Sequence, residues 1–339
     1  MIKLGVDVMG YENDLSHSIN ACRDFLKKYK DVQIVLFGDK ELISPFLNSD
    51  NEFEIIHSSE FISQNDTILS ARRKPNSSMQ LAANYLNENK IDGVLSAGST
   101  PVFVMTMYNT IGLINGVSKP GFMPTIPTVK SIPFNLLDVG ASLDVNEIDL
   151  AKFAIMANVY AKQRTENPKV GILNIGTESH KGPAILHKTN EILNEYQNIN
   201  NIGFVESKNL LEYCADVVVT DGFTGNIVLK ACEGSVKTIA HLIKENIKKP
   251  RNFLPLLFSA NFLKKIFNKF DYKNNAGAFV MGLKKICVKT HGSADYKQFY
   301  SSLEMLYNSV KNSIIKNIEN EITIFNDFLI DKGYIKNND

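Results

Sequence analysis

The chain has 339 residues, enough to bury a large core, and its 37 Lys+Arg against 36 Asp+Glu leave a net charge of +1. That balance argues against a general nucleic-acid binder, which needs a basic excess. The four scattered cysteines, Cys22, Cys214, Cys232 and Cys287, show no C-x-x-C and no metal spacing with histidine, so they read as buried small apolar residues of a reducing compartment.

The chain opens directly on a strand at residues 3–8, without the charged and then apolar segments of a signal peptide. No apolar run approaches the ~20 residues that span a bilayer. Further strand-like runs follow at 33–37, 54–57, 93–96, 134–138, 170–174, 202–205 and 217–220. Helical periodicity occupies 16–29, 78–87, 102–114, 150–164, 188–196 and 226–247. This alternation predicts βαβ units and a mostly parallel sheet covered by helices. Val217-Val218-Val219 suits a strand buried on both faces. Without repeats or a low-complexity linker, the expectation is a single α/β domain over 1–339, three-layered and Rossmann-like, with a helical excursion at about 236–275.

Polar, glycine-bearing loops follow five strands: Asp7-Val8-Met9-Gly10, Ser96-Ala97-Gly98-Ser99-Thr100, Asp138-Val139-Gly140-Ala141, Asn174-Ile175-Gly176-Thr177-Glu178 and Asp221-Gly222-Phe223-Thr224-Gly225-Asn226. Ligands of open α/β sheets bind outside the carboxyl ends of the strands, so these loops are expected to line one crevice. In the last loop the glycines and Thr224 make a short turn and Asn226 opens a helix, aiming N–H groups and a positive helix end at an anion. It matches neither nucleotide-loop motif, and an ordinary tight turn would carry the same glycines.

Lys181 follows a strand closely enough to neutralise a phosphate or an oxyanion, although most lysines are simply solvated. His180 and His291 lie in glycine-bearing loops and are candidate acids or bases, structural roles being equally open. Ser77 or Ser78 suits a helix N-cap better than a nucleophile. Asp7 and Asp138 could orient loops or hold a metal. No serine sits in G-x-S-x-G, which favours direct transfer over a covalent intermediate. Leu263, Ile266, Phe267 and Phe270 share a helical face flanked by Lys264, Lys265 and Lys269. Such a face lies in a membrane interface or packs in a core or a dimer, and the neighbouring basic clusters tilt the reading toward the membrane.

Taken in order, Gly5–Gly10, Lys74–Met79, Ser96–Thr100, Asp138–Ala141, Val170–Gly176 with Lys181-Gly182, Asp221–Lys230 and His291-Gly292-Ser293 resemble the phosphate acyltransferases of bacterial phospholipid synthesis, the PlsX family. The resemblance implies acyl transfer from acyl carrier protein to inorganic phosphate, giving an acyl phosphate for a membrane glycerol-3-phosphate acyltransferase. It also implies a fold like that of isocitrate and isopropylmalate dehydrogenases and phosphotransacetylases, without cofactor or metal. A cytoplasmic homodimer held peripherally on the membrane follows, through a projecting helical hairpin whose contacts would include Leu254, Leu257, Phe258 and Phe262. Lys181 and Asn226 match the family's catalytic positions. Substrate and phosphate contacts are expected from Asp7, Gly10, Ser78, Gly98, Ser99, Thr100, Asp138, Gly222, Thr224, Gly225 and His291.

Tyr11, Glu12, Ser99, Pro101 and Lys119 depart from the family pattern. Proline removes a backbone donor and lysine lacks the arginine fork. Those departures motivate a second reading, a catalytically impaired scaffold that binds carrier protein and membrane. A third is a phosphotransacetylase-like or decarboxylating dehydrogenase-like enzyme.

Overall fold

The computed structural model describes residues 1–49, 51–247 and 277–336. Eleven strands form one sheet: β1 Ile2–Asp7, β2 Val32–Gly38, β3 Glu54–His57, β4 Gly93–Ser96, β5 Gly121–Ile126, β6 Phe134–Leu137, β7 Lys169–Asn174, β8 Asn200–Glu206, β9 Val217–Val219, β10 Ala278–Met281 and β11 Ile286–Lys289. Their spatial order is β3-β2-β1-β4-β11-β10-β5-β6-β9-β7-β8. The helices before the C-terminal pair are α1 Leu15–Lys28, α2 Lys40–Ile43, α3 Ile68–Ala71, α4 Ser78–Asn87, α5 Thr100–Ile111, α6 Glu147–Ala161, α7 Ala184–Glu195 and α8 Gly222–Ile247. Two more, Tyr296–Lys311 and Ile314–Asp331, end the described chain.

Side chains of successive strand residues enter opposite layers, as a pleated strand requires. Ile34 and Leu36 pack with α1, α6 and the C-terminal helices, while Val35 and Phe37 pack with α4 and α5. Val217 and Val219 join the first layer, and Val218 turns to a third cluster with Val228 and Leu229 of α8. Helices thus cover both faces, which is why these strands are apolar without alternation. The α/β, three-layer, mostly parallel expectation holds.

Three pairings are antiparallel: β11 with β10, β10 with β5 and β5 with β6. The strands β1 to β4, β11 and β5 therefore run one way, and β10, β6, β9, β7 and β8 run the other. The sequence reading missed β5, β10 and β11. Pro124 sits inside β5, and the strands of the β10–β11 hairpin have four residues each.

The start of α8 also differs from expectation. The helix begins at Gly222, not Asn226, so the glycine turn is its first turn. The Asp221 carboxylate caps it by accepting from the Thr224 amide at 2.8 Å. Glycine is needed here for contact: a Cβ on Gly225 would stand 1.9 Å from the Asp138 carbonyl oxygen, and one on Gly222 would stand 2.6 Å from Asp138 Oδ2. Residues 236–247, expected in the excursion, continue α8, and 248–275 lie outside the described residues.

Candidate active site

The opposed strand directions divide the five loops. Those after β1 and β4, together with the turn after β11, gather at one edge of the sheet; those after β6, β9 and β7 gather at the other. β4 and β6 are separated by β11, β10 and β5, four strand spacings or about 19 Å. The single crevice expected from the sequence is thus two loop clusters, and α8 runs from the second back toward the first.

At the first edge Asp7 ends β1, buried to 1% exposure. Ser78 and Ser96 each donate a hydroxyl to it at 2.7 Å, and the Met9 amide donates at 3.2 Å. Burial raises the Asp7 carboxyl to about 6 despite these donors. Asp7 and Ser78 satisfy each other in the interior and so hold the loops together. The Gly98 amide donates to Ser96 Oγ at 3.1 Å and is likewise spent. Gly10 has φ +66°, and a Cβ there would meet the Ile62 carbonyl at 2.0 Å, so it closes the loop against the chain. Ser99 precedes α5 without capping it by its side chain, and Pro101 follows Thr100 in the first turn. Proline at this point gives up an N–H that has no intrahelical partner. The departures Tyr11 and Glu12 tie the loop after β1 to the turn after β11. The Tyr11 hydroxyl donates to the Ala294 carbonyl, and the Glu12 amide donates to that of Gly292 at 2.9 Å.

A cavity of about 230 Å³ opens beside this edge, beneath α8. Thr100, Lys289, Thr290 and His291 line one side, and Phe122, Ile126, Leu229 and Val236 give another side an apolar surface. Lys230 and Glu233 of α8 also line it, paired at 3.5 Å. Lys289 is 3% exposed and donates to the Thr290 carbonyl. Burial pulls its ammonium down to about 7, against the opposing pull of Asp7 and Glu12. His291 Nδ1 lies 3.0 Å from Ser293 Oγ. Desolvation, then the charge of Lys289, holds its imidazole below the usual range. Cys232, read from sequence as a buried apolar residue, is half-buried at the cavity wall.

At the second edge Asp138 is a hub. It accepts the amides of Phe122, Gly140, Ala141 and Ser142 at 2.7 to 3.1 Å. Burial still raises its carboxyl above the ordinary value. The Gly222 amide donates to the Ser142 carbonyl at 2.9 Å, the Gly225 amide to the Asp221 carbonyl at 2.9 Å, and Thr224 is capped. Of the expected phosphate contacts here, the Gly222 amide ties α8 to the loop after β6, the Thr224 and Gly225 amides are taken up by Asp221, and Asp138 accepts from β5 and its own loop. Asn226 is exposed, and its Nδ2 would lie 3.3 Å from a Cβ on Gly140. One turn further along the same face stands Lys230, at the cavity. Lys181 pairs with Glu178 at 2.7 Å, and its carbonyl accepts from Asn174 Nδ2 at 2.8 Å. A second cavity of about 370 Å³ lies between the loops after β7 and β9, lined by Ile175, Pro183, Asp221 and Thr224 but by neither Lys181 nor Asn226.

Sequence reasoning missed Lys289, Thr290, Lys230, Glu233 and Gln64. Gln64 donates to the Gly10 and Ala97 carbonyls at 2.8 and 2.7 Å, bridging two loops. The run Ile286-Cys287-Val288-Lys289-Thr290-His291-Gly292 carries the same strand-to-polar-loop signal as the five loops above, in a strand that no helix separates from β10. Leu254, Leu257, Phe258 and Phe262 lie outside the described residues. Among the described residues no helix is long and apolar enough to cross a membrane.

Residues 2–317 match a family described as fatty acid synthesis protein. A phosphate acyltransferase of Ureaplasma parvum serovar 3 is 52% identical over 323 residues, 95% of this chain and 97% of that one. Among solved structures, a branched-chain phosphotransacylase from Enterococcus faecalis V583 aligns over 91% of this chain and 99% of its own, with TM-score 0.59 and 15% identity. A 4-hydroxythreonine-4-phosphate dehydrogenase from Klebsiella pneumoniae aligns over 91% and 100%, with TM-score 0.52 and 10% identity. At such identities the likeness to the two structures is one of fold.

Proposed function

The chain belongs to the fatty acid synthesis protein family that includes the phosphate acyltransferases, and from that premise we propose that it transfers a fatty acyl group from acyl carrier protein to inorganic phosphate. The observation that carries this reading is the likeness to a phosphate acyltransferase over 97% of that protein's length. The cavity beneath α8 suits the chemistry. The uncapped start of α5 at Thr100 offers amides and a positive helix end to phosphate, with His291 beside it.

In the proposed step a phosphate oxygen attacks the thioester carbonyl carbon. A C–O bond forms, the carbonyl oxygen takes the charge, and collapse breaks the C–S bond. The thiolate of the carrier protein leaves and takes up a proton. Phosphate is already a nucleophile, so no acyl-enzyme is needed. Asn226 is proposed to donate to the carbonyl oxygen from the exposed face of α8. Lys181 is proposed to neutralise phosphate or oxyanion charge, which requires it to leave Glu178 and the loop after β7 to move toward the cavity beneath α8, whose lining it does not join in this structure.

We also propose a homodimer that sits peripherally on the cytoplasmic membrane face through Leu254, Leu257, Phe258 and Phe262 and supplies acyl phosphate to a membrane glycerol-3-phosphate acyltransferase. No nucleotide, metal or nucleic acid enters this scheme. The deciding experiment incubates purified protein with acyl carrier protein thioester, with and without phosphate. Acyl phosphate formed only with phosphate supports the reading; its absence refutes it. Flotation on anionic liposomes should be lost when Leu257 and Phe258 are replaced by aspartate, and unchanged flotation removes the membrane assignment.

A further inference from the structure

The cavity beneath α8 joins a cationic floor to an apolar wall. On the floor, Lys289 is buried and donates to the neighbouring Thr290 carbonyl, while an ammonium has three protons to place. Asp7, a carboxylate acting on it, already accepts from two hydroxyls and an amide. Thr290 is 1% exposed, and its Oγ1 has no hydrogen-bond partner among the described residues. A buried hydroxyl without a partner is costly unless a ligand completes it. The uncapped start of α5 reaches the same cavity at Thr100. Facing these groups, Phe122 and Ile126 of β5 and Leu229 and Val236 of α8 present hydrocarbon. An anionic head with one apolar tail matches both surfaces.

We propose that this cavity binds an acyl phosphate, its phosphate against Lys289, Thr290 and the start of α5 and its chain along the β5–α8 wall. This rests on the acyl-transfer reading and adds two phosphate-contacting residues and a determinant of chain length. The lowered ammonium value of Lys289 agrees with a site where a bound anion restores the charged form. The other charged and titratable groups around it are Asp7, Glu12, Lys230, Glu233 and His291.

The test is calorimetric titration of the full chain with inorganic, butyl and octyl phosphate. Octyl phosphate should bind at least about tenfold tighter than butyl phosphate, since each buried methylene is worth roughly a factor of four. Thr290→Val keeps shape and removes the unpartnered hydroxyl. It should weaken all three ligands about tenfold without lowering Tm, and Lys289→Met should abolish inorganic phosphate binding. Val236→Trp, at a half-buried helix position, should erase the octyl advantage and spare inorganic phosphate. Equal binding of butyl and octyl phosphate, or undiminished binding by Thr290→Val, overturns the proposal. Chain-dependent binding without turnover of the thioester would refute the acyl-transfer reading while leaving the amphiphile site in place. Turnover without octyl phosphate binding would do the reverse.

Discussion

Two glycines of α8 should respond to alanine in opposite directions. A Cβ on Gly225 would stand 1.9 Å from the Asp138 carbonyl oxygen, 2.9 Å from Thr220 Cγ2 and 3.0 Å from the Asp138 carbonyl carbon. Two of these neighbours are backbone, so α8 must withdraw by about 1 Å, well beyond what a packed interior absorbs. The withdrawal strains the Gly222 N–H bond to Ser142, and overpacking of this kind costs about 3 kcal/mol, with about 1 kcal/mol for the bond. Alanine returns about 1 kcal/mol through its better helix propensity. The net loss for Gly225→Ala is about 3 kcal/mol, or roughly 4 °C in Tm for a chain of this size. Gly234, nine residues further along the same helix, has nothing within 4 Å of its added Cβ. Gly234→Ala should therefore stabilise by about 1 kcal/mol. Urea midpoints followed by far-UV circular dichroism measure both variants. If Gly225→Ala unfolds no earlier than wild type, the close approach of α8 to the loop after β6 is wrong.

Asn226→Ala should lower turnover of the carrier-protein thioester by about 10²–10³ while Tm is kept, and full activity would remove Asn226 from the mechanism. Lys181→Ala should likewise lose most activity, and a Lys181 variant that keeps phosphate-dependent turnover excludes it. Ser96→Ala removes a donor to Asp7, whose folded-state value of about 6 lies above the ordinary 3.8. Stability tied to that carboxyl is full below its unfolded value and is lost as pH climbs through the folded one. The variant should therefore lose about 2 kcal/mol near pH 8, where Asp7 is ionised, and less near pH 5, where it holds a proton. Equal losses at both pH values, by chemical denaturation, would contradict the raised value. Asp221→Ala removes the cap on Thr224 and should cost about 1 kcal/mol in the same assay.

The α/β class was legible because strands such as β2, β4, β7 and β9 carry short apolar runs between helical segments, and β3 and β4 fall where the pattern puts them. The reversal of the sheet was not, because it depends on β5 and β10. One contains a proline, and the other leads into β11 with no helix between them, so neither fits the strand–helix alternation by which the other strands are read. The error propagated to the site. Loops that share a sequence pattern were assumed to share an edge, whereas the paired amides of Gly222 and Thr224 show one such loop to be a packing joint. Lys289 escaped notice because burial of a charge is a tertiary property that no local pattern encodes. Thr100 and His291, singled out because polar residues beside glycine at strand ends are a local signal, do line the cavity.

The order of strands also bears on how the chain is made. β4 and β5 adjoin the sheet's middle, yet they are joined through β11 and β10, which come more than a hundred and fifty residues later. During synthesis from the amino terminus, β1 to β4 can assemble with one open edge at β4, and β5 to β9 with another at β5. Open apolar edges of this kind recruit other chains. A chain stopped before Ile286 should consequently aggregate where the full chain does not, measured by light scattering of refolding samples. The hairpin that supplies Lys289 to the cavity is thus also the piece that closes the sheet, so the charged floor exists only in a molecule whose two halves have already joined.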